Sequence, residues 1–131
     1  MIALDTNVLA RFLARDDDPQ HRLAVARLAS GSEVGETFFI GDVVLVEVVW
    51  VLQSRYRLAR PAIADTLRAL LEAEHLTFQS ADRCLRALRR YAAGNGGFAD
   101  YLIAEQARDS GCSAVVTFDK DLLAEADFSA P

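Results

Sequence analysis

Short apolar runs, each followed by a stretch of helical periodicity, are the strongest constraint on what this chain can fold into. Residues 2–4, 38–40, 76–78 and 114–116 are such runs. Between them the apolar positions recur at three- and four-residue spacing, which is the signature of helices. Val8, Leu9, Phe12 and Leu13 predict a helix over 7–14. Asp16, Asp17, Asp18 and Pro19 read as a stop and restart, with Asp18 capping a helix that begins at Pro19 and runs to Gly31. Pro61 opens another helix, with Ile63, Leu67, Leu70 and Leu71 on its apolar side. Further helices are predicted over 81–92 and over 98–109, the latter closing at Gly111. Strands alternating with helices predict an α/β domain around a parallel sheet. The expectation is one domain spanning residues 1–131, with four or five strands flanked by helices.

The stretch DVVLVEVVWVLQ, residues 42–53, fits this scheme least easily. It places Glu47 among nine large apolar side chains. Its valines favour a strand, yet the run is long for one, and Asp42 is a plausible N-cap. It reads as a buried helix from 42 to about 55. An ionised carboxylate in an apolar interior costs several kcal/mol or more, unless it is paired, hydrogen-bonded, protonated or bound to a metal. Three readings stand for Glu47: a protonated acid, a partner for an arginine such as Arg11 or Arg22, or a metal ligand.

Other acids suggest where such a ligand would belong. Ligands of open parallel α/β sheets bind outside the carboxyl ends of the strands. Asp5 and Asp119 each follow an apolar run, and Asp100 opens a predicted helix after Gly96-Gly97, where the helix dipole favours a charged carboxylate. Taken singly, Asp5 and Asp119 can be helix caps and Asp100 an ordinary first-turn acid. Four carboxylates drawn together repel one another unless one is protonated or a cation intervenes. Hard oxygen ligands suit Mg²⁺ or Mn²⁺, and such a site activates water to hydrolyse a phosphodiester. No Ser, Cys or His is placed to suggest a covalent intermediate.

Composition sets outer limits. At 131 residues, 52% of them hydrophobic, the chain can bury a core, and no apolar run approaches a membrane span. The start, MIALDTNVLA, has no basic region ahead of a long apolar stretch, so no signal peptide is expected. Cys84 and Cys112 stand 28 positions apart, without metal or redox spacing, and are expected to be reduced core or near-core thiols of a cytoplasmic protein. The net charge of −5 argues mildly against simple electrostatic binding of nucleic acid. Thirteen arginines accompany one lysine, Lys120, a skew that a GC-rich coding genome produces by itself. Arg83, Arg86 and Arg90 fall on one side of their helix; a solvated face is expected, with phosphate contact the alternative. Trp50, Phe38, Phe39 and Leu52 are assigned to the core, while other apolar residues of the early helices can form a dimer or partner surface. His21 and His75 are isolated.

LDTNVL at 4–9, VVLVEVVWVL at 43–52, FADYLIA at 98–104 and VTFDKDL at 116–122 together resemble the PIN-domain ribonucleases. The likeness is greatest to the VapC toxin branch of bacterial toxin–antitoxin pairs, and it covers nearly the whole chain. The resemblance implies an acidic quartet of Asp5, Glu47, Asp100 and Asp119 that binds Mg²⁺ or Mn²⁺. It places Thr6 or Asn7 at the polar position after the first acid, with Asn7 orienting Asp5 or a water. Thr117 precedes the last acid, and Asp121 matches an outer position that is acidic only in some members. It further implies metal-dependent endonucleolytic cleavage of RNA, a homodimer, a VapB-type antitoxin whose C-terminal segment covers the active site, and the strand order 3-2-1-4-5. The resemblance implies a short final strand past the last acidic motif; the chain departs from that pattern by stopping at EADFSAP, where Phe128 is expected to be all of the strand.

Three rivals remain. A phosphoacceptor signalling domain wants an acidic pair after the first strand, where Thr6 and Asn7 stand. An aspartate-nucleophile phosphatase wants a second aspartate at Asn7. A PIN-like binding module with a dead site would lack part of the quartet, which is complete.

Overall fold

The structure, a computed structural model, describes residues 1–14 and 18–131; Asp16 and Asp17 of the expected stop lie outside the described residues. Two compact units divide the chain, residues 1–81 and 82–131.

In the first unit, β1 (Ile2–Ala3), β2 (Phe38–Ile40) and β3 (Leu76–Phe78) form a parallel sheet with β2 in the middle. Ile2 pairs with Phe38 and Phe38 with Leu76, so the register is set along one row. Strand periodicity sends Phe38 and Ile40 to the same side, where both are buried. Burying each contributes about 1.5–3 kcal/mol. The crossovers are α1 (Thr6–Leu13) with α2 (Pro19–Glu33), and α3 (Asp42–Ser54) with α4 (Arg60–Glu72). Asp18 caps α2 as expected, its carboxylate accepting from the Gln20 N–H at 2.7 Å. The expected stop at Gly31 falls two residues short. Gly31 lies inside α2, where a Cβ would come within 2.5 Å of Phe38 Cζ, so its role is to let the helix approach the strand.

The helix predicted from 42 is present, but two details differ. Gly41 is the N-cap, and Asp42, 6% exposed, is the first helical residue, with its N–H donating to Gln79 Oε1. Nor is α3 buried all round. Leu45, Val48, Val49 and Leu52, at the spacing of one helical stripe, face the core, whereas Val43, Glu47 and Trp50 are exposed. At 65% exposed, Trp50 is no core residue, unlike Phe38 and Leu52. Its angle around the helix axis explains this: it falls one turn beyond Glu47, on the outer face.

In the second unit, α5 (Ala81–Ala93) and α6 (Phe98–Asp109) precede β4 (Val115–Val116), a 3₁₀ turn (Leu122–Ala124) and β5 (Phe128–Ser129). β4 and β5 pair in parallel, Val115 with Phe128 and Val116 with Ser129. Phe128 therefore is the short last strand, and it packs with Ala104 and Leu122. Tyr91 and Phe98 meet edge to face, with centroids 6.1 Å apart.

Among the described residues the strands thus form a three-stranded sheet and a two-stranded pair, instead of the expected single sheet of four or five. The pieces 3-2-1 and 4-5 of the anticipated order are both found. β1, β4 and β5 are only two residues long, so each offers few ladder positions. Among the described residues, no helix is long and apolar enough to cross a membrane.

Candidate functional site

Asp5 lies two residues beyond β1 and caps α1, its Oδ1 accepting from the Val8 N–H at 2.9 Å. The capping role and a ligating role are compatible, because a carboxylate has two oxygens and the cap uses one. The next residue, Thr6, donates its hydroxyl to Glu47 Oε2 at 3.0 Å. Glu47 therefore stands in solvent reach on the outer face of α3, with a hydroxyl as its partner. This resolves the oddity of a glutamate among valines: helical geometry turns it away from the core. Arg11, one of its anticipated partners, pairs instead with Asp18 at 3.3 Å. Asn7 is exposed, and the bond that orients Asp5 comes from Val8.

In the second unit, Asp100 sits in the first turn of α6, half-buried, and its Oδ2 accepts from the Gly97 N–H at 2.9 Å. The positive end of the helix dipole favours its charge. Asp119 lies three residues beyond β4 and is exposed. Its N–H donates to Thr117 Oγ1 at 3.0 Å, and its Oδ1 accepts from the Asp121 N–H at 2.9 Å. Thr117 thus fixes the backbone that carries Asp119, while Asp121 contributes an amide, its carboxylate remaining exposed.

Asp5, Glu47, Asp100 and Asp119 each have one oxygen held by a protein donor. Among the described residues, no three His, Cys, Asp or Glu side chains form a group that could hold a metal ion. The donor chemistry nevertheless fits a hard divalent cation. Every candidate ligand offers carboxylate oxygen, no imidazole or thiolate is among them, and such ions take few protein oxygens and keep several waters.

The arginine face of α5 is half-buried and paired with acids, not a freely solvated face. Arg83 Nε donates to Asp109 at 2.9 Å, and Arg86 bonds Glu105 at 2.8 Å and Asp109 at 2.6 Å. Arg90 grips Asp127 through two bonds of 2.8 and 2.7 Å, and reaches Glu125 and Glu105. Hydrogen bonds from Arg83 hold the Asp109 carboxyl below its ordinary range, and those from Arg90 do the same for Asp127. The hydrogen bond to Asp127 raises the Arg90 guanidinium in turn. Sequence reading missed Glu105 and Asp109 as partners. The signal was present, since acids four apart on α6 match the three arginines of α5.

The thiol expectation holds for Cys84, which is buried, but Cys112 is exposed, beyond the end of α6. A groove of about 980 Å³ in the first unit is lined by Phe12, Leu28, Phe38, Leu52 and Leu70 among others. Neither Asp5 nor Glu47 lines it.

The chain matches the family model of the PIN domain over residues 2–129. It is also similar to a VapC ribonuclease from Aquifex aeolicus (strain VF5), 27% identical over 118 residues that cover 90% of this chain and 87% of that protein.

Proposed function

This chain belongs to the PIN-domain family, and on that premise we propose that it is a divalent-metal-dependent endoribonuclease, the toxin of a bacterial toxin–antitoxin system. The similarity to a VapC ribonuclease supports the activity and the toxin role. The family match runs through both compact units, which supports reading residues 1–131 as one nuclease domain. The observation that carries the proposal is the placement of Asp5 and Asp119 just beyond the carboxyl ends of β1 and β4, where ligands of parallel sheets bind.

In this reading Asp5, Glu47, Asp100 and Asp119 hold Mg²⁺ or Mn²⁺. The cation supplies Lewis acidity, lowering the pKa of water and offsetting charge that develops on the phosphodiester. The chain's own residues prepare the ligands. Val8 orients Asp5 and Thr6 orients Glu47. Gly97 aims Asp100, while Thr117 and the Asp121 amide set Asp119. Asn7 is assigned to holding a water beside Asp5. The acidic pocket repels RNA until a cation occupies it, which is compatible with the net charge of −5. The same reading assigns a homodimer in the cytoplasm, with RNA as substrate and a VapB-type antitoxin as partner.

The test is cleavage of structured RNA by purified protein with Mg²⁺ or Mn²⁺, abolished by chelator and by Glu47→Gln. Cleavage by Glu47→Gln at the wild-type rate would overturn the ligand assignment.

A further inference from the structure

Tyr101 is fully buried in α6, and its hydroxyl is a junction. It accepts from the Gly96 N–H at 3.0 Å and donates to Glu125 Oε1 at 2.5 Å. The second Glu125 oxygen takes Arg90 Nη2 at 3.0 Å, and the Arg90 guanidinium lies over the Tyr101 ring, 5.0 Å from its centroid. Arg90 and the Gly96 loop are themselves held. Arg90 bonds Asp127 and Glu105, and a Cβ at Gly96 would come within 2.8 Å of Leu122 Cδ2, so the loop lies tight against the 3₁₀ turn.

Two short routes leave the junction, and each ends on a carboxylate. On one side, Gly96 adjoins Gly97, whose N–H donates to Asp100. On the other, the Glu125 N–H bonds the Leu122 carbonyl at 2.9 Å, and the Leu122 N–H bonds the Asp119 carbonyl at 3.1 Å. The Asp121 N–H, at the head of the same turn, bonds the Asp119 side chain.

We infer that the Tyr101 hydroxyl, bonded to a Glu125 that Arg90 holds, is a positioning group that fixes the Gly96-Gly97 loop, which bonds Asp100, against the turn carrying Asp119. A phenylalanine would fill the same space, so core packing alone does not require the oxygen. The inference deepens the proposed function, since it rests on that reading for what the two carboxylates bind. Outer groups that orient metal-binding side chains act on affinity as much as on the fold.

The experiment compares wild type with Tyr101→Phe in three measurements: the amide proton resonances of Gly97 and Asp121, Mn²⁺ binding by calorimetry without RNA, and RNA cleavage. Tyr101→Phe is expected to shift both amides together and to weaken Mn²⁺ binding about tenfold. Glu125→Ala should reproduce this, while Glu125→Gln, which keeps an acceptor for the hydroxyl, should restore most of it. A Gly97 shift with Asp121 unmoved, or unaltered Mn²⁺ affinity in Tyr101→Phe, would overturn the inference. Should Tyr101→Phe fail to fold, the two Glu125 variants decide by the same readouts. If the wild type neither binds Mn²⁺ nor cleaves RNA, the proposed function fails, and the paired amide shifts still decide the coupling. If the wild type cleaves while the amides move independently, the coupling alone fails.

Discussion

Thr6 Oγ1 donates to Glu47 Oε2 across 3.0 Å, joining the first turn of α1 to the exposed face of α3. The bond is solvent-accessible, so its effect on folding is small, but it selects one orientation for a carboxylate that otherwise swings freely. Thr6→Val should leave stability within about 0.5 kcal/mol of wild type. It should nevertheless lower metal-dependent cleavage about 10–100-fold, the usual effect of removing a group that orients a ligand. Melting temperature and cleavage rate, measured on the same preparation, check both halves.

Asp5 has two tasks that substitutions can separate. Asp5→Ala removes the cap on α1 and should cost about 1 kcal/mol. Asp5→Asn keeps an oxygen for the Val8 amide but lacks the charge. It should melt close to wild type and yet lose cleavage. Equal activity in Asp5→Asn and wild type would leave Asp5 as a cap only.

Gly31→Ala tests the approach of α2 to β2. Its Cβ would meet Phe38 Cζ at 2.5 Å, with the Glu36 and Arg27 side chains also crowding it. Overpacking of this sort costs about 1–3 kcal/mol. A denaturant midpoint equal to wild type would show that α2 shifts without strain.

Acid should loosen the second unit. Asp127 and Asp109 have folded pKa values below the ordinary aspartate value of about 3.9. Groups of this kind contribute stability that is present above the unfolded value and lost as pH falls through the folded one. Stability should therefore hold down to about pH 4 and decline below it. Asp127→Asn should flatten that decline in acid melts, and an unchanged slope would show that the Arg90 grip adds nothing.

Trp50 is the chain's one tryptophan, which makes its surroundings easy to read. With 65% of it exposed, emission should be that of a solvated indole and iodide should quench it strongly. Shielded, blue-shifted emission would contradict the exposure.

The elements were legible in the sequence because their signals are local. Apolar runs at 38–40 and 76–78 became β2 and β3, and Asp18-Pro19 opened α2 as capping chemistry requires. What was not legible depends on which side of an element faces another. DVVLVEVVWVLQ looks uniformly buried when read as composition, since valines on both faces of a helix carry no polar counter-signal, and only packing shows that Val43, Glu47 and Trp50 point outward. The arginines of α5 looked like a surface because their partners lie about 20 residues away on α6. The candidate acids were named by position and motif, but the donors that orient them, Val8, Gly97 and the Asp121 amide, are backbone groups that no residue type reveals. Strand count failed for a related reason: two-residue strands are decided by pairing partners, which a linear pattern does not contain.

The packing around Tyr101 also limits the routes by which this sequence can drift. A Cβ at Gly94 would collide with the Tyr101 hydroxyl, and one at Gly96 would sit 2.9 Å from the same ring. Neither glycine can accept a side chain while the tyrosine stands; loss of the tyrosine opens room at 94, whereas Leu122 Cδ2, 2.8 Å from a Cβ at 96, still closes that position. Relatives that have abandoned Tyr101 should accordingly be the ones that tolerate substitution at 94, making those two sites one heritable unit with an obligatory order of change, while change at 96 waits on Leu122 as well.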